Sequence, residues 1–154
     1  MTHPGSLAAR LVLIAALALA AVACDFSAPS DFEGGGIPSL TGTSWVVATV
    51  NGRPPLPDAV PTLAFDTGNV KGFGGCNQIG GRYQLDVATG RFAVLELGGT
   101  AMGCVQAGVL DFETAFMTTL GRANQAAIDP AGQLVLTGPG TQIVLVSVGA
   151  TVID

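Results

Sequence analysis

The stretch from Gly72 to Tyr83 reads GFGGCNQIGGRY, and five of its twelve residues are glycine. Glycine at this density predicts backbone conformations that a Cβ atom would forbid, or two chain segments in close approach. The stretch also holds Cys76 and Asn77, and a second thiol follows downstream at Cys104. We interpret Gly72–Tyr83 as a structural centre in which the glycines turn the backbone and Asn77 bonds local backbone.

A phosphate-binding loop is the competing interpretation of this glycine pattern, because the spacing from Gly75 to Gly80 resembles one. Such a loop requires Lys followed by Ser or Thr and then a helix, whereas Arg82 occupies that place and a strand is predicted to follow. The pattern therefore does not favour phosphate binding.

Strand patterns lie on both sides of the stretch. Residues 62–65 and 70–73 flank an Asp-Thr-Gly-Asn turn, and residues 81–86 and 91–95 flank a second turn, so each pair predicts a hairpin. Further strands are predicted at 43–50, 124–128, 133–137 and 141–148. Tight turns between strands imply an antiparallel sheet.

One helix is predicted, over residues 109–121. Val109, Phe112, Phe116 and Leu120 recur at helical spacing, and Gly121 is placed as the C-terminal cap. The fold class is therefore α+β: a single compact domain with a strongly curved, barrel-like antiparallel sheet of seven or eight strands packed with one helix.

The N-terminal segment predicts export. Residues 11–22 are apolar and uncharged, a run too short for the roughly 20 residues that cross a bilayer. The run ends in Ala21-Val22-Ala23-Cys24, which resembles a bacterial lipobox, so we expect residues 1–23 to be a lipoprotein signal peptide and Cys24 to be lipidated. A membrane span and a plain signal peptide remain the alternatives. Residues 24–39 then read as a flexible tether, and the domain is expected over 40–150.

Composition narrows the function classes. Without residues 1–23 the chain keeps 6 − 1 = 5 basic residues against 11 acidic ones, a net charge of −6, and it has no histidine. We therefore expect no nucleic-acid partner, and contact with the membrane only through the N-terminal lipid. Catalytic sites and zinc sites that need histidine are excluded, so we predict no cofactor and no metal.

Carboxylates are the remaining catalytic candidates. Glu96 and Glu113 could form a general acid–base pair, but isolated acids on such a surface are more often solvated or cap helices. Trp45 and Tyr83 are expected in the core or on a sheet face, and not as ligand platforms.

Cys76 and Cys104 are predicted to form a disulfide, because two thiols on loop-like segments of an exported protein oxidise. Two buried free thiols and a redox pair are the alternatives. Neither thiol has a CxxC spacing or a neighbouring base, which argues against redox work.

These motifs together resemble the META (HslJ-like) domain family. The resemblance rests on Leu40–Trp45, Gly74-Gly75-Cys76-Asn77, Gly81-Arg82-Tyr83, Thr100-Ala101-Met102-Gly103-Cys104 and Glu113–Phe116, in an order that covers residues 40–148. It implies a curved antiparallel sheet with a helix, an exported or lipid-anchored envelope protein sometimes linked to stress, and no established enzymatic activity. It also implies that Gly75, Asn77, Thr100 and Met102 are structural.

The resulting expectation is a lipid-anchored, non-enzymatic module of the cell envelope that binds an envelope protein or a small molecule, or that maintains the envelope. A lipid-binding, small-ligand-binding or inhibitor module with an apolar groove on the sheet is the alternative. A carboxylate-dependent envelope glycan hydrolase is the second alternative.

Overall fold

The computed structural model describes residues 36–149. These residues form eight strands and one helix: β1 (Thr43–Val50), β2 (Thr62–Asp66), β3 (Asn69–Phe73), β4 (Gln78–Leu85), β5 (Phe92–Gly99), α1 (Val109–Arg122), β6 (Gln125–Ile128), β7 (Leu134–Gly138) and β8 (Thr141–Ser147). The predicted α+β class, the antiparallel sheet and the single helix are confirmed.

The strands form one sheet in the order β5-β4-β3-β2-β1-β8-β7-β6, and every neighbouring pair is antiparallel. The sheet curls into a half-barrel whose two edge strands meet at one end. There, the Phe92 N–H donates to the Asn124 carbonyl at 3.0 Å, and the Ala126 N–H donates to the Gly90 carbonyl at 2.8 Å. The barrel-like curvature expected from the sequence follows from this partial closure.

Helix α1 buries Phe116 and Leu120 completely, against core residues of β7 and β8 that include Leu136 and Leu145. The helix ends one residue later than predicted. Gly121 is still helical, and Ala123, in an extended conformation, takes the C-cap position instead. The prediction of Gly121 as the cap was wrong because the helical bonds continue through Arg122.

Trp45 and Tyr83 lie in the core, one of the two places predicted for them. They are 6% and 8% exposed. The Trp45 indole N–H donates to Thr43 Oγ1, and the Tyr83 hydroxyl shares a hydrogen bond with Thr41 Oγ1. Tyr83 stacks edge-to-face on Phe65 with ring centroids 5.0 Å apart, and Phe92 lies beside both rings. Aromatic packing thus fills the half-barrel near the meeting point of its edges.

The half-barrel has two ends, one of which includes the contact of the sheet edges at Phe92 and Asn124. The tether end is the β4–β5 turn, Asp86–Gly90, together with Gly36–Ser39, because the Ile37 N–H donates to the Val87 carbonyl at 2.9 Å. The disulfide end comprises the turn Gly74–Asn77 and the connection Thr100–Gly108. Strand β4 runs from one end to the other, a span of about 26 Å for its eight residues.

Ile37 is 5% exposed and belongs to the core, although it falls within the predicted tether. The packed part of the chain therefore begins before Leu40.

Candidate functional site

A buried carboxylate forms the centre of the disulfide end. Glu113 is the fifth residue of α1 and is 6% exposed. Its side chain points at the turn Gly74–Asn77, where a Cβ atom on Gly74 would lie 2.6 Å from Oε2. Gly74 is thus a glycine because the carboxylate occupies the space of a side chain.

Three hydrogen bonds hold this carboxylate. Oε2 accepts the backbone N–H groups of Cys76 at 3.0 Å and of Asn77 at 2.7 Å. Oε1 accepts the Asn77 side-chain amide at 2.7 Å. The helix is therefore fastened to the turn between β3 and β4 by a charged acceptor that satisfies backbone donors within the core.

The other half of the Asn77 side chain holds the connection from β5 to α1. Its Oδ1 accepts the Thr100 hydroxyl at 3.0 Å and the Met102 N–H at 2.7 Å. The Thr100 hydroxyl in turn accepts the Gln78 N–H at 3.1 Å. The prediction that Asn77 bonds local backbone was wrong, since its side-chain partners lie 23 to 36 residues away in the chain.

The environment of Glu113 favours its ionised form. Burial alone raises the pKa of this carboxyl, but the hydrogen bonds from the Asn77 amide and from the N–H groups of Asn77 and Cys76 outweigh that effect. The pKa is consequently below its usual value of 4.5. Glu113 is therefore a fixed anion at neutral pH, and a poor general acid there.

The predicted disulfide closes the same site. Cys76 and Cys104 are bonded across 28 residues, with their Cα atoms 5.9 Å apart. Gly75 beside it has a φ of 116°, and a Cβ atom there would lie 3.1 Å from the Ala59 carbonyl oxygen. The positive φ and the close approach predicted for the glycines both occur at this residue.

The motif residues enter the site in different ways. Asn77 and Thr100 contribute side chains, whereas Met102 contributes only its backbone N–H, and its side chain is 60% exposed. The sequence-based expectation that Met102 is structural thus applies to its main chain and leaves its side chain unexplained.

Glu96 is not part of this site. Its carboxylate pairs with the Arg82 guanidinium on the surface, where the two side chains are 67% and 59% exposed. Glu96 has a φ of 55° at a bulge, because Gly81 alone lies opposite Glu96 and Leu97. The two carboxylates of the hydrolase alternative, Glu96 and Glu113, share no hydrogen-bond partner.

The role of Glu113 was missed at the sequence level, where it was expected to be solvated or to cap the helix. A signal was present, since Glu113 lies beside Phe112 and one turn before Phe116 on the apolar face of the helix. A charged residue on the core-facing side of a helix requires hydrogen-bond partners, and the turn Gly74–Asn77 provides them.

Two surface depressions lie towards the tether end. The larger, of about 550 Å³, is lined by polar Gln84, Asp86, Arg91 and Asn124 together with Leu85, Phe92 and Ala93. The smaller, of about 240 Å³, lies between Ser39, Thr41, Tyr83 and Val87. Their mixed lining differs from the apolar groove expected by the ligand-binding alternative.

Residues 36–149 hold no group of three or more His, Cys, Asp or Glu side chains arranged for a metal ion. Within the same range, α1 is neither long enough nor apolar enough to span a bilayer. The lipidation predicted at Cys24 lies outside the described residues, as do the signal peptide and most of the tether.

The chain also resembles known proteins. The model of the META domain family matches residues 38–149. An NMR structure of a protein from Burkholderia xenovorans is 26% identical, with a TM-score of 0.59 over 71% of this chain and 84% of that one. A second NMR structure is 23% identical, with a TM-score of 0.57 over 69% and 89% of the two chains.

A crystal structure of a DUF4847 family protein from Bacteroides vulgatus is 18% identical, with a TM-score of 0.49 over 69% of this chain and 92% of that one. No curated protein matches the chain significantly. The family match covers all eight strands and the helix, including the turn Gly74–Asn77, the Thr100–Cys104 segment and Glu113. This chain belongs to the META domain family.

Proposed function

We propose that this chain is a lipid-anchored, non-enzymatic binding module of the cell envelope. The anchor is the lipidated Cys24, which follows the apolar run and the small residues of the lipobox. The binding role is assigned to the folded META domain, and its ligand is an envelope protein or a small molecule.

The hydrogen bonding of the family motif supports the proposal that the domain is not an enzyme. Every polar side chain of the motif already has a partner inside the domain: Asn77 binds Glu113, Thr100 and Met102, and both cysteines are joined. A nucleophile or general base needs a polar atom that can reach a substrate. Because these side chains already bond one another, we infer that the motif has a structural role and not a catalytic one.

The glycan-hydrolase alternative receives less support. It requires a raised pKa on one carboxyl of a facing pair, whereas Glu113 has a lowered pKa and Glu96 forms a surface ion pair. An incubation of the chain with peptidoglycan and chitin fragments, followed by chromatography, tests it. Release of shorter fragments that stops in Glu113→Gln would revive this alternative.

Anchoring is tested by fractionation of cells that express the chain or its Cys24→Ala variant. We expect the parent chain in the membrane fraction, with the mass of a chain that starts at Cys24 and carries lipid. The variant is expected to lose the lipid mass, because the acylated sulfur is absent. A Cys76→Ala, Cys104→Ala double variant is the matched control and should keep the lipid. Equal membrane association and equal mass of the parent and Cys24→Ala would contradict the proposal.

A further inference from the structure

The backbone is exposed where β5 runs into the connection to α1. Gly98, Gly99 and Ala101 are all exposed. In a glycine the exposed surface is backbone, so the peptide groups around Gly99 are open to solvent. Strand β5 is also one of the two edges of the sheet. This part of the edge therefore remains accessible, unlike the part near Phe92 that meets Asn124.

The hydrogen-bond pattern shows which way these groups point. The Thr100 N–H donates to the Gln78 carbonyl at 2.9 Å, and the Met102 N–H donates to Asn77 Oδ1. Successive residues of an extended antiparallel strand direct their N–H and C=O groups to opposite sides. Gly99 lies opposite Ile79, next to the bonded Thr100 and Gln78, so its N–H and C=O groups point away from β4. Ala101 follows β5 between the inward-directed N–H groups of Thr100 and Met102, and its own N–H bonds no other residue of the described chain.

Exposed apolar side chains lie beside this edge. Met102, Val105 and Leu110 are 60%, 104% and 54% exposed, and they account for three of the seven exposed large hydrophobic residues of the described chain. All three lie within nine residues of one another, and the disulfide and Asn77 hold the segment that carries Met102 and Val105 against the turn Gly74–Asn77. Such a grouping next to open backbone marks an interaction surface.

We propose that this surface docks an extended segment of another polypeptide. The segment pairs with Gly99 and Ala101 through backbone hydrogen bonds, and its apolar side chains contact Met102, Val105 and Leu110. This inference rests on the proposed binding function and names the partner class for it.

The neighbouring residues restrict the length and charge of the partner. The bulge at Glu96 and its ion pair with Arg82 interrupt the edge, so pairing extends over only a few residues. Asp111, next to Leu110, is an exposed acid, whereas the charge of Glu96 is already compensated by Arg82. Lysine or arginine beside the apolar residues of the segment therefore suits this surface.

The proposed surface lies far from the residues that lead into the domain. The chain enters the domain beside Val87, at the opposite end of β4 from this surface. These two places are about 26 Å apart along the strand.

The test uses the full-length chain, labelled with ¹⁵N, and a peptide of roughly seven residues that alternates valine and threonine between terminal lysines. We expect saturable shifts of the Gly99 and Ala101 amide signals and slower hydrogen exchange at both. The same peptide, N-methylated at the amides that face Gly99 and Ala101, should bind at least about tenfold more weakly, because it cannot complete the strand pairing.

Variants locate the apolar part of the surface. A Met102→Gln, Leu110→Gln double variant is expected to weaken peptide binding about tenfold, since both side chains are exposed and their replacement leaves the core intact. Val87→Gln, an exposed apolar residue at the tether end, is the matched control and should bind like the parent chain.

Several outcomes would overturn the inference. These are equal binding of the methylated peptide, shifts confined to residues outside 98–110, no binding at all, or equal binding by the double variant. Binding of phospholipid vesicles through Met102 and Leu110 would show that the surface binds a membrane. A dimer that the double variant abolishes would show that it binds a second copy of this chain. Either result would overturn the proposal of an extended segment from another protein. Failure of this test leaves the Cys24→Ala fractionation unaffected, so the surface and the anchor can fail separately.

Discussion

The two ends of the half-barrel are closed by different physical means. At the tether end, backbone hydrogen bonds join Phe92 to Asn124, and the rings of Phe65, Tyr83 and Phe92 fill the interior. At the disulfide end, a buried anion, an asparagine and a covalent bond connect the sheet to α1.

The difference follows from the elements that meet at each end: two strands at the tether end, and a helix and a turn at the disulfide end. Two strands can meet through their own edge groups, so apolar packing suffices behind them. A helix cannot pair with a turn in this way, and the N–H groups of Cys76 and Asn77 would remain unsatisfied in the core without an acceptor. Glu113 is that acceptor. We therefore expect the disulfide end to depend on a buried charge and on redox state. At the tether end the carboxylate held by hydrogen bonds is Asp86, whose pKa they lower, but it lies exposed in the β4–β5 turn and does not support the core.

The largest expected effect comes from Glu113→Ala. Removal of the carboxylate leaves two backbone N–H groups and the Asn77 amide without their charged acceptor, where each such bond contributes about 1.5–3 kcal/mol. Allowing for non-additivity, we expect the free energy of unfolding to fall by about 3–5 kcal/mol in urea titrations. A loss under about 1 kcal/mol would show that water replaces the carboxylate at little cost.

The pH dependence of this contribution distinguishes the two ends. Because the pKa of Glu113 is lowered in the folded state, its stabilisation is present above pH 4.5 and is lost as the pH falls through the folded-state pKa. The difference in unfolding free energy between the parent chain and Glu113→Ala should therefore shrink on acidification. Phe92→Leu, at the tether end, should show a constant difference over the same range. Parallel curves for all three proteins would contradict this assignment.

Loss of the disulfide should rank next. A Cys76→Ser, Cys104→Ser double variant opens a loop of 28 residues, which corresponds to about 3 kcal/mol in the loop-entropy description. Unfolding of the parent chain should shift with a thiol reductant, whereas the double variant should not respond. If the reductant leaves the parent unchanged while mass spectrometry shows both thiols free, the bond contributes nothing to stability.

Thr100→Val tests the outer layer of the same network. Valine keeps the shape of the side chain but loses the donor to Asn77 Oδ1 and the acceptor for the Gln78 N–H. Asn77 Oδ1 retains the Met102 N–H, and Gln78 is exposed to water, so we expect a loss of about 1 kcal/mol. Thr114→Val, whose hydroxyl bonds only the exposed helix carbonyl of Leu110, is the control and should change stability less.

Sequence patterns predicted the strands and the helix because those depend on local periodicity. The segment 43–50 and the helix start at Val109 both agree with the structure. The disulfide was also predictable, since only two cysteines follow Cys24 in the chain. Hairpin turns and cysteine number are properties of short stretches or of the whole composition, and neither requires knowledge of tertiary contacts.

The polar network could not be predicted from local rules. Asn77 was assigned to its own turn, which is the common behaviour of asparagine in loops, and Glu113 was assigned to solvent. Their pairing depends on how the half-barrel brings residues 36 positions apart together. The left-handed φ of Glu96 could not be predicted either, because glycine is the residue that normally indicates such a bulge.

The smallest expected effect lies at that bulge, outside both ends of the domain. Glu96→Ala should remove an exposed ion pair with Arg82, worth at most about 1 kcal/mol, while the backbone keeps its φ of 55°. Glu96→Gly removes the same pair but also relieves the left-handed strain of a residue with a Cβ atom, which amounts to about 1 kcal/mol. We therefore expect the glycine variant to be more stable than the alanine variant, the reverse of the usual order in a strand. Because the two variants lack the same carboxylate, their difference in urea midpoint measures the backbone alone, and an alanine variant of equal or greater stability would mean that the bulge carries no strain.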